Sequence, residues 1–404
     1  MAAIVTNWAG NLAFHASDVY RPASVEELRV LVARSPSVRA IGSGHSFSDV
    51  VDTRGALVSL DALPRTVELD GSTVRVGGAV RYAELAPRLH QAGFALRNLA
   101  SLPHITVAGS VATATHGSGD GNGNLATAVR AMELVTAEGD LVTLTADDPR
   151  LSGAVVGLGA LGVAVSLTLE LVPAFEVRQY VFEDLPLEVL DDHVDEVFGS
   201  GYSVSLFTGW RRPVVDQVWV KRVSDEAPDL FGARPADGPR HPIPGASPEP
   251  CTEQLGVPGP WHERLPHFRP EFTPSAGQEL QSEFLLPRRH TVAALRALHG
   301  IRAVLAPVLQ ISEIRTVAAD DLWLSPAYGQ DVAGFHFTWI KDVSRVLPVI
   351  ETVTRALEPY EARPHWGKLF TAVAPYARMA DFRELVGAFD PQGKFANDFL
   401  RRVM

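Results

Sequence analysis

The 404-residue chain has a single cysteine, Cys251, which excludes an intramolecular disulfide framework and a cysteine-rich metal centre. Lysine is almost as scarce. Four lysines (Lys221, Lys341, Lys368 and Lys394) stand among 36 basic residues, leaving 32 arginines. The coding bias of a GC-rich genome accounts for that imbalance, yet it makes any lysine in a polar cleft worth following. Positive charge is in deficit overall. Against 47 acidic residues the net charge is −11, which argues against nucleic acid or an anionic membrane as a partner. No apolar run is long enough to span a bilayer, and the opening MAAIVTNWAGNLAF has neither a basic n-region nor a long apolar core. The expectation is a cytoplasmic globular protein, long enough for two domains with ample cores. No internal repeat is found.

What is there concentrates in Ile41-Gly42-Ser43-Gly44-His45-Ser46-Phe47-Ser48. The octapeptide follows a short strand-like run, Val38 to Ile41, and sets glycines and serines around one histidine. Glycine admits φ > 0 and lets backbone approach a ligand closely, so successive N–H groups can converge on a phosphate. A histidine inside such an anion-binding turn brings an imidazole to the ligand rather than to solvent. A serine/glycine turn capped by its histidine explains the octapeptide equally well, so the remainder of the chain has to decide.

The first part reads as a mixed α+β unit. Ser24-Val25-Glu26-Glu27 is a capping box opening a helix from Val25 to Arg34. Strands follow at Val38 to Ile41 and Ala56 to Leu60, then a hairpin from Thr66 to Val76 turning at Asp70-Gly71. A helix from Tyr82 to Ala92 stops at Gly93, a suitable C′ residue. A second hairpin, Glu133 to Leu144, turns around Gly139, and the unit ends near Val172-Pro173. Between the hairpins, the segment from Ala108 to Gly123 is too rich in small polar residues for a packed core. Its N–H groups and hydroxyls suit a long phosphate-bearing ligand; a flexible surface loop is the alternative.

From about residue 175 to 369 the texture changes. Strands at Tyr202 to Trp210 and Gln217 to Arg222 precede a proline-rich excursion from about Ala227 to Pro274, expected to wrap the surface as an ordered irregular loop. Three later strands carry polar pairs by alternation. Gln281 and Glu283 share a face of Glu279 to Leu286, Glu313 and Arg315 a face of Leu309 to Val317, and His336 and Thr338 a face of Ala333 to Ile340. Side by side in an antiparallel sheet, these strands would form a polar floor able to grip hydroxyls and polarise a C–OH bond.

Three tempting motifs fail. Gly157-Leu158-Gly159-Ala160-Leu161-Gly162 fits a dinucleotide fingerprint, but a strand-like run from Val163 to Val172 follows where a helix is required. His262-Glu263 and His267 have the wrong spacing for a zinc helix, and Pro266 interrupts them. The segment Gly44 to Ser48 lacks the last glycine of a nucleophile elbow.

With the histidine turn, the threonine-rich segment and the Glu313-Ile314-Arg315 strand assembled, the chain resembles the alditol (xylitol) oxidases. These belong to the vanillyl-alcohol-oxidase-like flavoproteins and are similar to the aldonolactone oxidoreductases. The resemblance runs from Asn7-Trp8-Ala9-Gly10-Asn11 through His365-Trp366-Gly367-Lys368 to Asp390-Pro391-Gln392-Gly393-Lys394-Phe395. Ala100-Ser101-Leu102-Pro103-His104-Ile105, Glu313-Ile314-Arg315 and His365-Trp366-Gly367-Lys368 point to the sugar-alcohol and aldonolactone enzymes within that superfamily.

The resemblance implies an α+β, FAD-binding (PCMH-type) fold in two domains with an antiparallel-sheet substrate domain. The FAD-binding domain would be residues 1–174, the substrate domain 175–369, and 370–404 a C-terminal segment returning to the first. It implies FAD bonded covalently through His45, with contacts from Ile41, Gly42, Ser43, Gly44, Ser46 and Phe47. Further FAD contacts would come from Ser101, Thr106, Gly109, Thr113, Ala114, Thr115, His116 and His365. Ser101, Gln281, Glu313, Arg315, Thr338 and Lys368 would bind a small polyol, with His336 supporting them. Arg315, Lys368 and Glu313 would be catalytic. The implied reaction is hydride transfer to flavin N5 to give the aldose, with O2 reduced to hydrogen peroxide. No metal, nucleic acid or membrane is implied, and a monomer is expected. An aldonolactone oxidase or dehydrogenase is the alternative within the superfamily, and a non-catalytic polyol- or nucleotide-binding protein the alternative outside it.

Overall fold

A computed structural model describes residues 5–272 and 278–404. In the first part, a three-stranded parallel sheet runs Asp18–Tyr20, Ala56–Ser59, Val38–Ile41. An antiparallel sheet of five runs Val67–Asp70, Thr73–Gly77, Val163–Glu170, Val129–Val135, Leu141–Thr145. Both hairpins thus turn where their glycines allow it, with Gly71 at φ 55° and Gly139 at φ 83°. The helix Val25–Arg34 opens as its capping residues require, with one shift. Ser24 Oγ accepts from the Glu27 N–H at 3.1 Å, but the Glu27 carboxylate reaches back to the Ala23 N–H at 2.7 Å, one residue before the cap. The helix then buries Leu28 and Val32, one turn apart, against the sheets.

The larger sheet runs Arg234–Pro235, Glu176–Pro186, Val214–Arg222, Ser203–Thr208, Leu309–Val317, Val332–Ile340, Glu279–Pro287, Arg363–Pro364, and Gly259–Pro260 pairs with Glu176–Pro186. Its pairings are antiparallel. Alternation decides which face meets what. Leu280, Phe284, Phe335, Phe337 and Trp339 point to one side and pack with the helices Val189–Gly199, Thr291–Gly300 and Val343–Leu357. Phe337 and Trp339 stack there at 5.1 Å, and Trp339 Nε1 donates to Ser282 Oγ at 2.9 Å. Buried aromatics of this size each contribute about 3–5 kcal/mol relative to alanine. That hydrophobic layer leaves the opposite face free to be polar.

The C-terminal helices Met379–Phe389 and Asp398–Val403 turn back to the first part. Phe382, Leu385, Phe399 and Leu400 join the same core as Leu85, Val111 and Leu167. Among the described residues, no helix is long and apolar enough to cross a membrane. The proline-rich excursion departs from expectation. Its end at Pro274 lies outside the described residues, but the part from 227 to 272 does not stay on the surface. His241, Ile243, His267 and Phe268 enter the interior and line the main cavity. The physical reason is a buried cation on the sheet: the Lys221 ammonium takes the Leu265 and Pro266 carbonyls as acceptors and draws the excursion inward.

Candidate active site

The strand Val38–Ile41 delivers the chain into the histidine turn, where Gly44 takes φ 70°. A Cβ on Gly42 would collide with Thr106 Oγ1, and one on Gly109 would lie 2.8 Å from the same atom. The Thr106 hydroxyl fills the space beside both glycines, so a side chain at either position has to displace it. Asn7 and Asn11 Nδ2 donate to Ser46 O and Phe47 O, and three shorter straps hold the turn. The Trp8 N–H donates to Gly44 O at 2.7 Å, the Phe47 N–H to Gly367 O at 2.7 Å, and Ser48 Oγ to Trp366 O at 2.7 Å. Trp8 stacks on His45 at 5.3 Å. Burial, then the charges of His104, Arg81 and Lys368, pull the His45 imidazole down to about 4, so it is neutral at neutral pH. Its Nδ1 is buried without a hydrogen-bond partner, as is Thr106 Oγ1.

The turn Gly157–Gly162 forms another wall of the same cavity. A strand, Val163–Glu170, follows it, so it is no Rossmann turn. What positions it is Arg39, 2% exposed, which donates to Leu158 O at 2.6 Å, Gly159 O and Phe395 O at 2.9 Å, and Val50 O. One guanidinium thus ties this turn to the C-terminal segment.

Opposite these walls lies the polar face of the large sheet. The three strands carrying polar pairs are neighbours, and their register sets Glu313, His336 and Glu283 in one cross-strand row, with Thr338 and Gln281 paired in the next. Arg315 Nη2 donates to Glu283 Oε1 at 2.6 Å, Arg315 Nε lies 3.6 Å from Glu313 Oε1, and Arg315 Nη1 donates to Ser101 Oγ at 3.3 Å. Lys368 donates to Gln281, and Gln281 in turn to Glu279. Behind the row, His267 Nε2 meets Glu313 Oε1 at 2.9 Å.

Burial pushes the Glu313 and Glu283 carboxyls up, but Arg315 and the neighbouring histidines outweigh it and hold both well below the carboxylate range. Burial lowers Arg315 less than the two carboxylates raise it, so it stays charged. Lys368 is different: burial brings its ammonium down to about 8 against the pull of Glu283. A buried network of charges is weak support for stability, because desolvation offsets much of the attraction. Its presence here points to chemistry.

The segment from His365 to Leu369 joins the two walls. Its His365 and Leu369 N–H groups donate to Glu283 O at 3.0 Å and Gln281 O at 2.9 Å, while Gly367 O and Trp366 O hold the histidine turn. His365 Nδ1 accepts from the Gly367 N–H at 3.0 Å, which leaves the ring proton on Nε2. Lys368 Nζ sits 5.3 Å from the Phe47 ring, next to His45.

One cavity is lined by almost every residue singled out from the sequence. Ile41 to Phe47, Ser101, Thr106, Gly109, Thr113, Thr115, His116, His365, Gln281, Glu313, Arg315, His336, Thr338 and Lys368 all face it. Ala114 does not: at φ 53° it turns its methyl into the hydrophobic core. His116, Glu283 and His365 converge with ligand atoms within 4.8 Å, but Arg315 already occupies that carboxylate. Four contributors escaped the sequence reading. Glu283 was seen on the floor without a role, and Trp8, Lys221 and His267 were not placed near the site. Only the rarity of lysine signalled Lys221; nothing local signals His267.

A glycine cradle with orphaned polar atoms, facing a polar floor in one large cavity, fits a nucleotide cofactor beside a hydroxylated substrate. The α+β fold is of the FAD-binding, PCMH type, and the chain is an FAD-binding oxidoreductase. Residues 16–145 match the family described as FAD binding domain, and 277–403 match D-arabinono-1,4-lactone oxidase. The alditol oxidase of Streptomyces sp. is 55% identical, covering 100% of both chains. The L-gulono-1,4-lactone dehydrogenase of Mycobacterium tuberculosis is 30% identical, again over 100% of both. A solvent-stable cholesterol oxidase superposes with a TM-score of 0.78 at 15% identity, over 99% of this chain and 97% of that one, which shows a shared fold. The chain belongs to the alditol oxidase family.

Proposed function

We propose that this protein oxidises the terminal CH–OH of sugar alcohols such as xylitol and sorbitol to the aldose, with O2 reduced to hydrogen peroxide. The observation that carries the reading is the meeting of two walls in one cavity. The unpartnered His45 Nδ1 lies on one, and Glu313, Arg315 and Lys368 lie on the other. FAD, bonded covalently through His45, supplies the hydride acceptor. A neutral, desolvated imidazole with a free nitrogen is the chemistry such a bond needs, and beside Gly42 and Gly109 the Thr106 hydroxyl leaves no room for a side chain.

The chain's own residues do the rest. Ser101, Gln281, Glu313 and Thr338 bind the hydroxyls along the polyol. Arg315 and Lys368 flank the reacting hydroxyl. Arg315, charged at any working pH, favours the developing alkoxide. Lys368, lowered to about 8, accepts the hydroxyl proton in its neutral form, which makes the reaction faster as pH rises toward that value. His336 Nε2, 3.4 Å from Thr338 Oγ1, orients that hydroxyl, and its Nδ1 lies 3.5 Å from Glu283 Oε2. We read residues 1–174 with 370–404 as the FAD-binding domain and 175–369 as the substrate domain, acting as a cytoplasmic monomer.

The match of residues 277–403 to a lactone oxidase family supports a second substrate class, the aldonolactones. Parallel assays separate them. Peroxide formation with xylitol or sorbitol well above that with an aldonolactone is expected; the reverse ranking would replace the polyol reading with the lactone one.

A further inference from the structure

A chain of hydrogen bonds reaches the floor from behind. Lys221 lies on Val214–Arg222, two strands from Glu313, and is 1% exposed. Its Nζ has three acceptors: Leu265 O, Pro266 O at 3.1 Å and His267 Nδ1 at 3.0 Å. An ammonium offers three protons and no lone pair. With two protons on carbonyls, the third is aimed at His267 Nδ1, which must therefore be bare. The single imidazole proton is then on Nε2, 2.9 Å from Glu313 Oε1, with Ser205 Oγ at 3.4 Å. A flipped ring would turn carbon atoms toward both the ammonium and the carboxylate. Phe207 and Trp219 pack edgewise on the ring at 5.6 and 5.2 Å and fix its plane.

Composition adds a second line. In a chain with 32 arginines and 4 lysines, a lysine at this buried place marks a site that a planar guanidinium does not fit. The excursion is locked at the same point, because the His267 and Phe268 N–H groups both donate to Ser101 O, at 2.8 and 3.1 Å.

We infer that Lys221 and His267 are positioning residues for substrate. Lys221 fixes His267 as the Nε2–H tautomer. His267 then donates to one oxygen of Glu313 and leaves the other to accept from a substrate hydroxyl. The inference deepens the polyol reading and rests on it for the identity of that hydroxyl.

The charged and titratable groups facing His267 are Lys221, Glu313 and Arg315; Lys221 itself faces Glu313, Arg315 and Cys251. Burial, then the Lys221 charge, brings His267 to about 4, and burial brings Lys221 to about 7. Between those values the lysine is charged and the imidazole neutral, so the tautomer is enforced. Replacing Lys221 by methionine removes a charge that lowers the imidazole. His267 then titrates higher than in the unsubstituted enzyme, though burial, the larger cause, still holds it below its ordinary value, and once protonated it carries the Nε2 proton whatever its neutral tautomer was.

The test uses flavin-loaded enzyme with 15N-labelled histidine. At about pH 6, inside that window, the His267 proton is expected on Nε2, assigned by the signal that His267→Gln removes. In Lys221→Met, the KM for xylitol is expected to rise about tenfold at about pH 6, inside the same window, with kcat within about threefold, and the defect to shrink as the pH falls below that. A merely structural lysine gives no such rescue by acid. His267→Gln, whose amide can donate from the Nε2 position, should keep KM within about threefold, and His267→Leu should not. A His267 proton on Nδ1 in the unsubstituted enzyme, or a Lys221→Met enzyme with unchanged KM or a defect independent of pH, overturns the inference. If Lys221→Met does not fold, equal KM in His267→Gln and His267→Leu overturns it, and a selective defect in His267→Leu supports it. The tautomer is read without substrate, so a failure of xylitol to reduce the flavin counts against the polyol reading and leaves the NMR result to judge the relay.

Discussion

Around Gly42, Thr106 and Gly109 the cavity wall is backbone and small side chains; across the floor it is Glu279, Glu283, Glu313, Arg315 and Lys368, with Lys221 behind. The cradle holds a ligand by shape. Its glycines are fixed by contacts that a single methyl would violate, and its one reactive group, His45, is neutral. The floor holds buried charges against one another, Arg315 between Glu283 and Glu313 and Lys368 on Gln281. Damage to the cradle is therefore expected to appear as lost cofactor, and damage to the floor as lost turnover with the cofactor in place. The segment from His365 to Leu369 is hydrogen-bonded to both, and couples them.

The largest expected effect breaks the floor alone. Arg315→Leu leaves the Glu283 and Glu313 carboxylates facing each other without their shared cation. It should lower kcat/KM for xylitol about 10³-fold, as loss of a main electrostatic stabiliser does, while the flavin absorbance of the purified enzyme is kept. Loss of flavin together with activity would show that the two walls are not separable.

Next comes pH. Lys368 must be neutral to take a proton, and its ammonium titrates at about 8. Below that value kcat should rise about tenfold per pH unit and level off above it. No acid limb from Glu313 or Glu283 is expected near neutrality, since both are held well below the carboxylate range. A Lys368→Met enzyme should lose this slope in a pH–rate series.

Gly42→Val tests the cradle by driving a side chain into Thr106. Overpacking of this kind is worth about 1–3 kcal/mol, so the flavin-to-protein ratio at limiting FAD should fall about tenfold, with turnover per bound flavin nearly unchanged. The smallest effect lies behind the floor. Trp339→Phe removes the bond to Ser282 Oγ and should lower stability by about 1–2 kcal/mol in denaturant melts, with kcat/KM within about twofold.

The cradle was readable because it is local: eight consecutive residues carry the turn, though only the resemblance of the whole chain separated a cofactor cradle from a plain serine/glycine turn. The floor was readable in part. Alternation assigned the faces of three strands, and the structure sets those strands side by side, but no periodicity reports that Glu283 shares Arg315 with Glu313. Its rear was hidden. Lys221 and His267 are 46 residues apart, and the histidine sits in an irregular proline-rich stretch with no pattern to place it. The signal that survives is compositional. Lys221 and Lys394 each have three buried acceptors, and Lys368 lines the cavity, so three of the four lysines serve the interior. Ala114 shows the opposite limit: a residue within a motif whose left-handed backbone aims it at the core.

The central claim is that the histidine turn carries a flavin covalently and presents it to the floor. Precipitating the purified protein in acid tests it most directly. A yellow pellet is expected from the unsubstituted protein and a colourless one from His45→Ala. A colourless pellet from the former, or a yellow one from the latter, would contradict the account.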